Sequence, residues 1–134
     1  MSMTTGTDES RRLIERYWAA MNTNDFRAAA GLFHDDYLLE WPQSGERIRG
    51  RDNFAAVNEN YPAAGRWVFT VHRLVADGGE VASEVTVTDG AVTARVITFS
   101  SVRDGLIVHQ TEYWPDPYEP SPARSAWVEG IETD

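Results

Sequence analysis

Hydrophobic and polar positions along the chain change period twice. From Asp8 to Met21, Leu13, Tyr17 and Met21, with Ile14 and Trp18 beside them, recur at helical spacing, and Asp8 is placed to cap the start. Asn22 to Asn24 interrupts the stripe. Asp25 then heads a second short helix, FRAAAGLF, with Phe26, Ala29, Ala30 and Phe33 inward. DYLLEWP, from Asp36 to Pro42, reads as a strand that Pro42 must end, because proline has no amide proton for a ladder. QSGERIRG reads as a loop carrying Arg47 and Arg49. Arg51 to Asn60 predicts a third helix with Phe54, Val57 and Tyr61 on one side, stopped by Tyr61-Pro62 and Ala63-Ala64-Gly65. Trp67 to Ala76 is a long strand, turned by Asp77-Gly78-Gly79.

Beyond that turn the period is two. Glu80 to Trp114 is rich in Val, Ile, Thr, Phe, Tyr and Trp, the residue types that suit a pleated surface, and is punctuated by Asp89-Gly90 and Asp104-Gly105. Asp-Gly between such runs is a strong hairpin signal, so the segment reads as a three-stranded meander. With two-residue turns, Phe99 faces Gln110, Ile97 faces Glu112, Glu84 faces Arg95 and Ala82 faces Ile97. One face then carries Val81, Val85, Val87, Val92, Val96, Val102, Ile107, His109, Thr111 and Tyr113. The other carries Ala82, Glu84, Thr86, Arg95, Ile97, Phe99, Val108, Gln110, Glu112 and Trp114. Opposed Cβ atoms lie roughly 5 Å apart and diagonal ones roughly 7 Å. The register therefore predicts a Glu84–Arg95–Glu112 cluster within one sheet face. Helices at one end of the chain and an antiparallel sheet at the other make an α+β fold, in which a curved sheet on three helices leaves a cavity at its mouth.

Length and composition narrow the function. The 134 residues suit one domain, with residues 1–7 expected to be disordered and 115–134 forming a proline-rich tail that cannot continue the sheet. A net charge of −9 argues against nucleic acid or an anionic membrane as partner. The absence of cysteine excludes disulfides and a thiol nucleophile. His34, His72 and His109 have no metal-ligand spacing, so no metal site is expected. No apolar run approaches the roughly 20 residues of a membrane span, and the N-terminus lacks the features of a secretory signal; a cytoplasmic location is the default expectation.

The order of elements, together with RYWAAMNTND, GLFHDDYLLEWP, ERIRGRDNF and GLIVHQTEYW, resembles the nuclear transport factor 2-like superfamily, in particular its SnoaL-like and ketosteroid isomerase-like branch. The resemblance runs to about Trp114. It implies a cone-shaped roll of three N-terminal helices on a curved, mainly antiparallel sheet, a hydrophobic pocket used without a cofactor, and homodimers packed through the sheet. The isomerase's oxyanion tyrosine resembles Tyr17, but its aspartate base falls on Trp41 and its aspartic acid donor on Phe99, so ketosteroid isomerisation is not expected. Limonene epoxide hydrolases are similar in using an Asp-Arg-Asp cluster, although the acid they place two residues after the arginine is Ile97 here.

The expected catalytic group is therefore Glu112, Glu84, Arg95 and Tyr17, with Arg95 holding Glu84 ionised and Glu112 left as the more easily protonated acid. Trp41, Phe33, Phe54, Phe99, Gln110 and Trp114 are the expected walls of a pocket for a hydrophobic, oxygenated small molecule. Glu40 and His109 are expected to face away from it. Two functions stay open: acid/base catalysis (cyclisation, isomerisation, dehydration or epoxide hydrolysis), and non-catalytic binding with the three charges as a structural network. The valine-rich face, with no helix left over to cover it, is the expected dimer surface.

Overall fold

A computed structural model describes residues 6–132. Three helices, α1 (Thr7–Asn22), α2 (Phe26–Ala30) and α3 (Gly50–Asn60), cover one face of a six-stranded mixed sheet. The strands are β1 (Phe33–Trp41), β2 (Glu46–Arg49), β3 (Val68–Asp77), β4 (Glu80–Thr88), β5 (Thr93–Arg103) and β6 (Leu106–Tyr113). Their order is β2-β1-β6-β5-β4-β3, and only β1 and β6 run parallel. The sheet is not closed.

Helix α1 starts at Thr7, inside the stretch expected to be disordered, with Gly6 at its N-cap position; residues 1–5 of that stretch lie outside the described residues. The Thr7 hydroxyl accepts from the Gly78 amide at 2.8 Å, tying the helix start to the β3–β4 turn. Asp8 does not cap the helix and pairs with Arg11 instead. Asp25 caps α2 as its sequence predicts, accepting from the Ala28 amide at 3.1 Å. Phe33 belongs to β1, and Glu46–Arg49, expected as loop, is an edge strand paired with Leu38–Trp41.

The core is the inner sheet face closed by the helices. Leu13, Ile14, Tyr17, Trp18 and Met21 of α1 pack with Phe33, Tyr37 and Leu39 of β1, Phe54 of α3, and Val81, Val85, Val87, Val96, Val102 and Ile107 of the meander. The valine-rich face is thus covered by the chain's own helices and is not free to pair two copies. Among its valines Val92 is the exception, being exposed in the β4–β5 loop.

Two features of the meander depart from the two-residue-turn register. At Asp104-Gly105 the turn is as predicted, with both residues at positive φ and Arg103 opposite Leu106. One extra residue on β6 then intervenes between Ile107, opposite Val102, and His109, opposite Ser101. Beyond this bulge Gln110 faces Ser100 and Glu112 faces Thr98. A shift of one residue sends every following side chain to the other face. At Asp89-Gly90 the connection is a four-residue loop, so Thr88 pairs with Thr93, Glu84 with Ile97 and Ala82 with Phe99. The Asp89 carboxylate fixes that loop by accepting from the Ala91 and Val92 amides at 2.9 and 2.8 Å. A shift of two leaves the faces unchanged.

Candidate functional site

The bulge breaks the predicted cluster. Glu84 and Arg95 stay on one face as diagonal neighbours, and their side chains pair there. Glu84 also accepts from Arg73 Nε at 2.7 Å. Arg73 first, and then Arg95, hold the Glu84 carboxyl below the usual carboxylate range. This is the outer face, away from the helices. Phe99 is on it too, 51 % exposed, so it lines no inner pocket. Glu40 faces outward as expected; His109, expected on the valine-rich face, is carried to the outer face by the bulge and joins Glu40 at 2.7 Å, with Arg47 on the other Glu40 oxygen.

Glu112 is on the inner face and 6 % exposed. Its partners are neutral: Trp41 Nε1 donates to one carboxyl oxygen at 2.9 Å, and Thr98 Oγ1 approaches the other at 3.1 Å. No lysine, arginine or histidine among the described residues pairs with it. Burial pushes this carboxyl up from the ordinary glutamate value, and the Trp41 and Thr98 hydrogen bonds oppose the shift without cancelling it. The upward direction matches the sequence expectation, but its source is burial under the helices, not contact with Phe99 and Ile97.

Gln110 lies two residues before Glu112 and is fully buried. The Tyr37 hydroxyl donates to its carbonyl at 2.6 Å, and its amide donates to Ser100 Oγ at 3.1 Å. Tyr17 is buried against Trp18, Phe33 and Phe54. Burial, and then the Glu112 charge, raise its phenol well above its usual value, with Gln110 acting in the opposite direction. Phe33 and Phe54 are core residues, the former stacked on Tyr37 at 3.6 Å between ring centres.

Above this buried group, α3 and the open end of the sheet leave a cavity of about 570 Å³, well inside the roughly 300–1,000 Å³ range of small-molecule sites. Trp41 and Trp114 line it as expected, joined by Phe69, Val57, Val87, Tyr61 and Trp67. The Gln43 amide donates to the Trp114 carbonyl at 3.2 Å and holds that wall in place. Trp41 connects the two layers, its ring facing the cavity and its N–H bonded to Glu112. The structure therefore gathers Glu112, Tyr17, Gln110 and Trp41, and leaves Glu84, Arg95 and Phe99 outside.

Tyr37, Thr98 and Ser100 join the group without having been anticipated. Tyr37 alternates with Leu39 and Trp41 on β1, a pattern that places it on the same face as Trp41. Thr98 and Ser100 are the polar positions between Val96 and Val102.

The chain shares this architecture with several solved structures. A candidate ketosteroid isomerase from Kribbella flavida DSM 17836 is 37% identical over 99% of this chain and 96% of its own, with a TM-score of 0.89. An NTF-2 like protein of unknown function from Burkholderia xenovorans LB400 is 33% identical over 93% of this chain and 97% of its own, with a TM-score of 0.77. An LEH-like epoxide hydrolase from M. tuberculosis is 29% identical over 81% and 84%, with a TM-score of 0.65. Comparison with curated proteins returns no match. The SnoaL-like domain matches residues 14–110, a span that takes in α1 from Ile14 onward, the whole sheet as far as Gln110 and most of the buried polar group, and the chain belongs to that family.

Proposed function

We propose that this protein is an acid/base enzyme acting on a hydrophobic, oxygenated small molecule, with Glu112 as the proton-transferring group. The observation that carries the reading is a carboxyl group buried without a cation, one hydrogen bond beneath an aromatic-walled cavity. A carboxyl that burial raises above the ordinary glutamate value keeps its proton more readily than a free one and is suited to general acid/base work. Trp41 orients one oxygen of Glu112, and Tyr17 is the candidate donor to a substrate oxygen. The M. tuberculosis relative, an LEH-like epoxide hydrolase, supports epoxide opening within this class. The indole at Trp41 stands where the isomerase's base falls, which weighs against ketosteroid isomerisation.

One observation favours a second reading, a binding domain without chemistry. Both Glu112 oxygens already have partners, and Glu112 is not itself in the cavity wall. Hydrolysis of styrene oxide and double-bond migration in a β,γ-unsaturated cyclic ketone, each compared between wild type and Glu112→Gln, separate the two. The enzyme reading expects turnover that falls by about 10²-fold or more in the variant. Quenching of tryptophan fluorescence by either compound, with no turnover by wild type, supports the binding domain. Turnover untouched by the substitution would remove Glu112 from the mechanism.

A further inference from the structure

Taking the cavity as a small-molecule site, its wall also says which charge the guest carries. Trp41, Tyr61, Trp67 and Trp114 supply aromatic faces, Glu46 and Asp116 stand in the same wall, and no lysine, arginine or histidine lines it. Neither Glu46 nor Asp116 is in an ion pair among the described residues. The Glu112 carboxyl lies one hydrogen bond below Trp41. Aromatic faces attract a cation through the negative potential over their rings, most strongly for tryptophan. Unpaired carboxylates at the same cavity add a field of the same sense, and the net charge of −9 extends it outward. A carboxylate or phosphate ester would meet these groups with like charge and find no basic residue in the wall to receive it.

We infer that the cavity selects organic cations, a protonated amine or quaternary ammonium carried on a hydrophobic body, over neutral and anionic compounds of the same shape. The proposal rests on the cavity being a binding site, but not on Glu112 being catalytic, and binding alone tests it. Phenyltrimethylammonium and tert-butylbenzene have nearly the same shape and differ in charge; benzoate is the anionic probe. Tryptophan quenching should show the cation binding at least about tenfold more tightly than tert-butylbenzene, with benzoate weakest. Added salt should weaken the cation alone. Glu46→Gln and Asp116→Asn should each reduce cation affinity and leave tert-butylbenzene unchanged. Glu15→Gln removes the same charge from an exposed position on α1 outside the wall and should change neither.

Equal affinity for the isosteric pair, or a preference for benzoate, would overturn the selectivity while keeping the cavity as a site. An effect of Glu15→Gln as large as that of Asp116→Asn would reduce it to the overall charge of the molecule and overturn it as a property of the wall. Binding of none of the three probes would sink both this inference and the cavity as a site for small molecules.

Discussion

Glu112 shows how a buried acid is kept without a counterion. Trp41 and Thr98 satisfy its two oxygens, so the remaining cost is that of the charge and not of missing hydrogen bonds. Glutamine would keep both contacts: its carbonyl accepts from Trp41, and its amide donates to the Thr98 hydroxyl. A carboxyl whose folded-state pKa is raised retains its full contribution to stability below the unfolded pKa and loses it as pH rises through the folded value. Glu112→Gln should therefore raise the melting temperature at pH 8 by roughly 3 °C or more. The gain should shrink towards pH 4, where the native carboxyl is protonated. A variant that melts lower than wild type at pH 8 would show that the ionised form is held by something besides Trp41 and Thr98.

At the scale of elements, the β4–β5 loop is built on one carboxylate. Asp89 accepts from the Ala91 and Val92 amides and, across the chain, from Ala64 at 2.8 Å. It thereby joins the hairpin to the segment after α3, next to Tyr61 and Trp67 at the cavity. The Ala64, Val92 and Ala91 amides, in that order, hold its pKa below the usual aspartate value. The stabilisation is present above the unfolded pKa and is lost as pH falls through the folded one. Asp89→Ala should lower the melting temperature at pH 7 and speed amide exchange at Ala64, Ala91 and Val92; unchanged exchange at Ala64 would show that the two segments are held together by other contacts.

The Asp89-Gly90 pair announces a turn but not its length, because what lengthens the loop is a side chain bonding to amides near and far. Helix α1 was legible from Leu13, Ile14, Tyr17 and Trp18, and the Asp104-Gly105 turn from its dipeptide. Trp41 could be placed at the pocket because strand alternation from Tyr37 survives intact. Glu46–Arg49 was not legible as a strand, since three exposed polar residues around Ile48 are what a short protected edge looks like and equally what a loop looks like. The β6 bulge leaves no mark in residue types either, and it alone moved Gln110 and Glu112 away from Glu84 and Arg95.

For the whole molecule, the outer sheet face is the surface left to explain. Phe99 and Tyr113 meet edge to face at 6.3 Å between ring centres, and Val75 is 66 % exposed nearby on β3. The Glu84–Arg73–Arg95 and Glu40–His109 pairs stand on the same face. An apolar centre with charged pairs around it suits a protein interface. We propose that two copies pair through this outer face, in place of the valine-rich one. Sedimentation at micromolar concentration should show a dimer that Phe99→Lys converts to monomer with its fold intact. A wild-type monomer would sink the dimer, and a variant that stays dimeric would move the interface elsewhere, for instance to the tail, where Tyr118, Trp127 and Ile131 are all more than four-fifths exposed.

The single extra residue on β6 has a consequence for how such a site can change over time. Replacing Glu112 edits one group, whereas drawing the bulge out into a regular ladder with every residue kept would turn over the whole remaining strand, presenting His109, Thr111 and Tyr113 to the interior and Gln110 and Glu112 to solvent. Deleting Val108 would instead leave Ile107 opposite Val102 and His109 opposite Ser101 in an unbroken ladder, with Gln110 and Glu112 still inside. The chemistry beneath the cavity thus depends on an irregularity, and survives its clean excision. Two relatives that differ by one deletion there would carry the same interior, and aligning them without the gap would match a buried acid with an outward-facing neighbour.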